Sequence, residues 1–121
     1  MRNSQNFCGL YFENQQKYEE MYGKNTVLFI QKGSFYEVYQ CPITQIGKAQ
    51  QISKILNITL TSVNKNVENS SDNPLMTGVP YSALIPKYMK VLMEHNYNVI
   101  IMDQVGESGT FSRKVSKVYS P

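Results

Sequence analysis

The sequence predicts an α/β fold in which a mixed β-sheet is flanked by about three helices. Runs rich in β-branched and aromatic residues alternate with stretches whose apolar residues recur at three- and four-residue steps. The runs Thr26–Lys32 and Phe35–Cys41 are joined by only Gly33 and Ser34, a connection that fits antiparallel strands and not a crossover. A chain of 121 residues with 41% hydrophobic content suits one core, and is too short for an independent catalytic module beside it.

Taken in order, residues 11 to 22 lack proline and glycine, and Tyr11, Gln15, Tyr18 and Tyr22 follow helical spacing until Gly23. The strands Thr26–Lys32 and Phe35–Cys41 follow, with Gly33 supplying the freedom for the bend. Pro42 ends the second strand. A helix is expected over Thr44 to Leu56, because Ile46, Ala49, Ile52, Ile55 and Leu56 form one apolar face opposite Gln45, Lys48, Gln51 and Lys54. Ile58 to Val63 alternates as a strand does. Asn64 to Asn73 is polar apart from Val67 and reads as an exposed loop. Leu75 to Pro80 returns to the sheet, and Pro86 suits the first turn of a helix reaching Glu94. The continuous apolar run within Asn98 to Gln104 predicts a strand covered on both faces. After the break at Gly106, Ser108 and Gly109, Ser112 to Tyr119 alternates, placing Arg113, Val115, Lys117 and Tyr119 on one face.

Composition narrows the function classes. Cys8 and Cys41 are far apart and His95 is the sole histidine, so no metal-ligand spacing exists and free thiols in a reducing compartment are expected. Nothing resembles a membrane span or a signal core, which points to an intracellular protein with no membrane partner. A net charge of +3 permits a nucleic-acid partner without identifying one. No Gly-x-x-x-x-Gly-Lys-Ser/Thr loop is present, so this chain holds no nucleotide site of that kind and calls for no cofactor.

Within Gly33-Ser34-Phe35-Tyr36-Glu37, alternation sends Phe35 and Glu37 out of the sheet together while Tyr36 points the other way. Further landmarks are Leu56-Asn57-Ile58-Thr59-Leu60-Thr61, the run from Pro74 to Tyr81, Val99 to Gln104, and Arg113 to Pro121. With these in this order, residues 11–121 resemble the amino-terminal, mismatch-recognition domain of the MutS family of DNA mismatch-repair proteins, residues 1–10 forming an extension. Ser34, Ser82 and the triplet Met102-Asp103-Gln104 depart from the family pattern and indicate a divergent branch.

The resemblance implies a fragment of a larger protein that binds double-stranded DNA carrying mismatches or small loops and dimerises through other domains. ATP and Mg would belong to those other domains, not to this chain. It also implies that Phe35 wedges into the minor groove and stacks on a mispaired base, with Glu37 as hydrogen-bond partner. Such a wedge must unstack a base step, which is cheapest where pairing is already lost. Lys32, Lys65 and Arg113 are candidate backbone contacts, with surface solubility the plainer role for each. An alternative from another class is a metal-dependent nuclease using Glu37, Asp103 and Glu107, although these come from separate elements. A protein-interaction module is a third.

Overall fold

The computed structural model describes residues 7–106 and 112–121. Helix α1 (Phe7–Tyr22) leads into β1 (Thr26–Lys32), β2 (Phe35–Cys41) and the short β3 (Ile46–Gly47). Helix α2 (Ala49–Leu56), β4 (Thr61–Ser62) and β5 (Leu75–Pro80) follow. A π-helical turn (Leu84–Tyr88) then runs into α3 (Met89–Glu94), and the chain closes with β6 (Asn98–Val105) and β7 (Ser112–Tyr119). The strands form one sheet in the order β4-β5-β2-β1-β6-β7, with β3 added to β2. Among the described strands only β1 and β6 run parallel, so the sheet is mixed and flanked by helices, as the sequence predicts.

Each face of the sheet carries its own apolar cluster. On one, Val27, Phe29, Tyr36, Val38 and Val99 meet Ile52 and Leu56 of α2 and Leu92 of α3. On the other, Leu28, Ile30, Tyr39, Ile100 and Met102 meet Tyr11 and Phe12 of α1. Val99 to Met102 is thus buried on both sides, as its unbroken apolar run requires.

Helix α1 also completes the sheet. β1 pairs with β2 only from Ile30 to Lys32, which leaves the backbone of Thr26 and Leu28 open on that side. Gln15 fills the gap: its Nε2 donates to Thr26 O at 2.7 Å and its Oε1 accepts from Leu28 N at 2.9 Å. The Tyr11 hydroxyl donates to Leu28 O at 2.6 Å. Both side chains are fully buried, so these bonds satisfy groups that would otherwise lie dry and unpaired.

Several expected boundaries move. Helix α1 begins at Phe7, and Phe7 packs edge-on to Tyr39 at 5.9 Å. The helix expected from Thr44 starts at Ala49, because Gln45 (φ 64°) and Gly47 (φ 97°) are left-handed and Ile46 pairs with Cys41 instead. The strand expected over Ile58 to Val63 shrinks to Thr61–Ser62, since left-handed Asn57 ends α2 and the Thr59 carbonyl accepts from the Thr77 hydroxyl. Pro86 lies inside the π-helical turn, one turn ahead of α3. Finally, a bulge opposite Ile101 and Met102 breaks the alternation of β7. Arg113 and Val115 therefore share the α1 face with Met102, whereas Lys117 and Tyr119 cross to the other face with Ile101 and Val99.

Candidate nucleic-acid interface

The tip of the β1–β2 hairpin is a two-residue turn, closed by the pair Lys32 and Phe35. Gly33 has φ 62° and its neighbour Ser34 stays in the ordinary region, the pattern of a II′ turn. A side chain at 33 would meet no atom within 4 Å, so glycine is needed there for its backbone and not for space.

Both sides of the tip are pinned. Gly33 N donates to the Gln104 side-chain oxygen at 2.7 Å, and Ser34 O accepts from Tyr81 N at 2.7 Å. Gln104 is itself held: its backbone N donates to Gln31 Oε1 at 2.9 Å and its Oε1 accepts from Arg113 Nη2 at 3.1 Å. Arg113 Nε donates to Gln31 O at 3.2 Å, and its guanidinium lies over the Phe7 ring at 4.7 Å. Desolvation lowers the Arg113 pKa, in keeping with this packed position.

From this tip the side chains alternate as expected. Tyr36 is only 5% exposed, whereas Phe35 is 45% exposed. The Tyr36 ring stacks on Tyr81 at 4.9 Å and its hydroxyl donates to Asp103, whose other oxygen accepts from Ser116 at 2.6 Å. Burial, then the Asp103 hydrogen bond, push the Tyr36 phenol far above its ordinary pKa, so it remains a donor.

Phe35 and Glu37 share the α1 face, and with Gly78, Met76, Thr77, Thr59 and Thr61 they line a pocket of about 280 Å³. Gly78 lies directly across from Glu37 in the β2–β5 pair. A Cβ there would come within 2.8 Å of Tyr36 O and 3.4 Å of Glu37 Cγ, so glycine leaves the room in which the Glu37 side chain stands. The Glu37 carboxylate accepts a hydrogen bond from the Tyr39 hydroxyl.

The candidate residues are therefore partly assembled. Phe35 and Glu37 come together, and Lys32 stands beside them at the base of the turn with its Nζ over the Phe7 ring at 5.2 Å. Arg113 reaches the same tip, with its Nε and one Nη2 hydrogen engaged by Gln31 O and Gln104 Oε1 within the protein. Lys65 follows β4, which runs away from Phe35, so it lies towards the far end of β5. Of the carboxylates weighed as metal ligands, Glu37 and Asp103 sit on opposite faces and cannot share an ion, and Glu107 lies outside the described residues. Among the described residues no group of acidic, histidine or cysteine side chains is placed to hold a metal. Sequence reasoning missed Tyr39, Gly78, Gln31 and Gln104. Alternation alone places Tyr39 with Glu37, but the other three depend on strand register.

Comparison with known proteins decides the family: MutS domain I matches residues 12–121. The chain belongs to the MutS family. A mutS homolog of Acanthamoeba polyphaga mimivirus is 30% identical over 119 residues, covering 92% of this chain and 10% of that protein. The DNA mismatch repair protein MutS of Thermotoga neapolitana is 35% identical over 113 residues, covering 90% of this chain and 12% of its own length. That of Desulfatibacillum aliphaticivorans is 37% identical over 101 residues, covering 80% and 10%. The chain thus spans about a tenth of the length of these relatives. Its mixed sheet with flanking helices is the fold of MutS domain I. Among the described residues no helix is long and apolar enough to cross a membrane.

Proposed function

We propose that this domain reads mispaired or looped double-stranded DNA through the hairpin tip, with Phe35 as the wedge and Glu37 as the hydrogen-bond partner of a base. The observation that carries the reading is a large apolar ring, 45% exposed at the foot of a pinned two-residue turn, beside a carboxylate on the same face. An exposed aromatic beside a tip whose backbone is pinned is suited to insertion, because the fold and not the DNA has already placed that backbone. Insertion costs a few kcal/mol of unstacking at a paired step and less at a lesion, while stacking on the ring returns about 1–3 kcal/mol for any base. Discrimination thus comes from deformability.

Glu37 adds a second source of selectivity. A carboxylate close to the phosphates of paired DNA is repelled, and only a base donor offsets that cost. In the rest of the protein, ATP and Mg would be bound by other domains, and a second subunit would help close around the bent duplex. The test is to titrate the intact protein and its Glu37→Ala and Glu37→Gln variants against fully paired DNA. Both variants are expected to bind it more tightly than the parent; equal affinities would overturn the role given to Glu37.

A further inference from the structure

Phe35, Glu37 and Tyr39 occupy successive positions on one face of β2, and the last of them is 1% exposed. The Tyr39 ring is locked by edge-on contacts with Phe7 at 5.9 Å and Tyr11 at 5.0 Å. Tyr11 is fixed in turn by its hydroxyl on Leu28 O at 2.6 Å. A phenol held this rigidly presents its O–H in one direction, and that direction is the Glu37 carboxylate. We propose that Tyr39 is a positioning residue that sets the hydrogen-bonding polarity of Glu37. By donating to one oxygen it leaves an acceptor facing the DNA, so the favoured lesion is a base offering a ring N–H.

The chemistry follows from the donor inventory. An ionised carboxylate only accepts, whereas its protonated form also donates. The phenol keeps its proton, because burial and then the Glu37 contact raise its pKa well above the ordinary value. An unpaired thymine offers N3–H and suits the remaining oxygen; an unsubstituted purine base has only ring-nitrogen acceptors and does not. Gly78 supports the same pose, since a Cβ there would press on Glu37 Cγ at 3.4 Å.

This rests on Glu37 contacting a base, and the experiment separates the two claims. The intact protein is titrated against duplexes carrying one unpaired thymine or one unpaired unsubstituted purine, with thermal unfolding of each variant alongside. The parent is expected to favour thymine by about tenfold, the scale of one charge-assisted hydrogen bond. Tyr39→Phe keeps the ring and removes the donor that orients the carboxylate, and should lower the ratio several-fold in the Glu37 protein while changing nothing in a Glu37→Ala background. Glu37→Gln gives a second arm that does not require altering Tyr39. The amide oxygen should turn to the Tyr39 hydroxyl and present NH₂ to DNA, so the preference should shift to the purine. If Glu37→Ala leaves the parent ratio unchanged, the base-contact reading itself fails. If Glu37→Ala abolishes the ratio but Tyr39→Phe and Glu37→Gln both retain it, Glu37 reads the base without Tyr39 and the proposal is overturned.

Discussion

Replacing Gly78 by alanine probes the closest approach in the site. The added Cβ would lie 2.8 Å from Tyr36 O, 3.4 Å from Glu37 Cγ and 3.5 Å from Glu37 Cα. The first of these atoms is backbone in a strand paired on both sides, so relief requires β2 and β5 to part by a few tenths of an ångström. Overpacking of this kind costs about 1–3 kcal/mol. The lower entropy of an unfolded alanine offsets roughly 0.5–1 kcal/mol of it. A net loss of about 1–2 kcal/mol corresponds to a Tm fall of roughly 4–10 °C for a chain of this size. Gly33→Ala makes the comparison, since nothing lies within 4 Å and only the left-handed φ of 62° is penalised, at about 1 kcal/mol. Thermal and urea unfolding followed by circular dichroism would measure both. A Gly78→Ala variant as stable as the parent would refute the claim that this pairing has no room for a side chain.

Gln15→Leu should cost about 3 kcal/mol in urea unfolding, because Leu28 N–H and Thr26 C=O lose their partners inside a dry core. Gln104→Ala should cost about 1 kcal/mol, since the two lost bonds, to Gly33 N and Arg113 Nη2, lie at or near the surface, yet speed hydrogen exchange at the Gly33 amide, which unchanged exchange would contradict. The 121-residue chain by itself should unfold cooperatively and bind DNA weakly, with strong salt sensitivity and little mismatch preference, because +3 allows few phosphate contacts. Titration at low and moderate salt checks this, and a tight mismatch-selective complex would oppose it.

The sequence shows most of the sheet because strand character here is local. Thr26–Lys32, Phe35–Cys41, Leu75–Pro80 and Ser112–Tyr119 carry their β-branched and aromatic residues within the strands themselves. Thr44 to Lys48 misled because the apolar Ile46 matches helical spacing, while only the left-handed backbone at Gln45 and Gly47 shows that it belongs to β3. The bulge in β7 was equally hidden, as it inserts Ser116 without any proline or glycine to mark it. At the site, alternation along β2 sufficed to pair Phe35 with Glu37 and to turn Tyr36 inward. Gln31, Gln104 and Arg113 could not be assigned to the turn from sequence, because their meeting depends on β1 and β6 lying side by side across more than seventy residues of chain.

The central claim is that Phe35 supplies the difference between mispaired and paired DNA. The most direct measurement is the ratio of the two affinities for the intact protein and for Phe35→Ala, at one salt concentration. Losing one base–aromatic stack of about 1–3 kcal/mol predicts a ratio about ten- to a hundredfold smaller, close to unity, with weak general binding retained through phosphate contacts. A Phe35→Ala protein that still prefers the mispair as strongly as the parent would contradict the account.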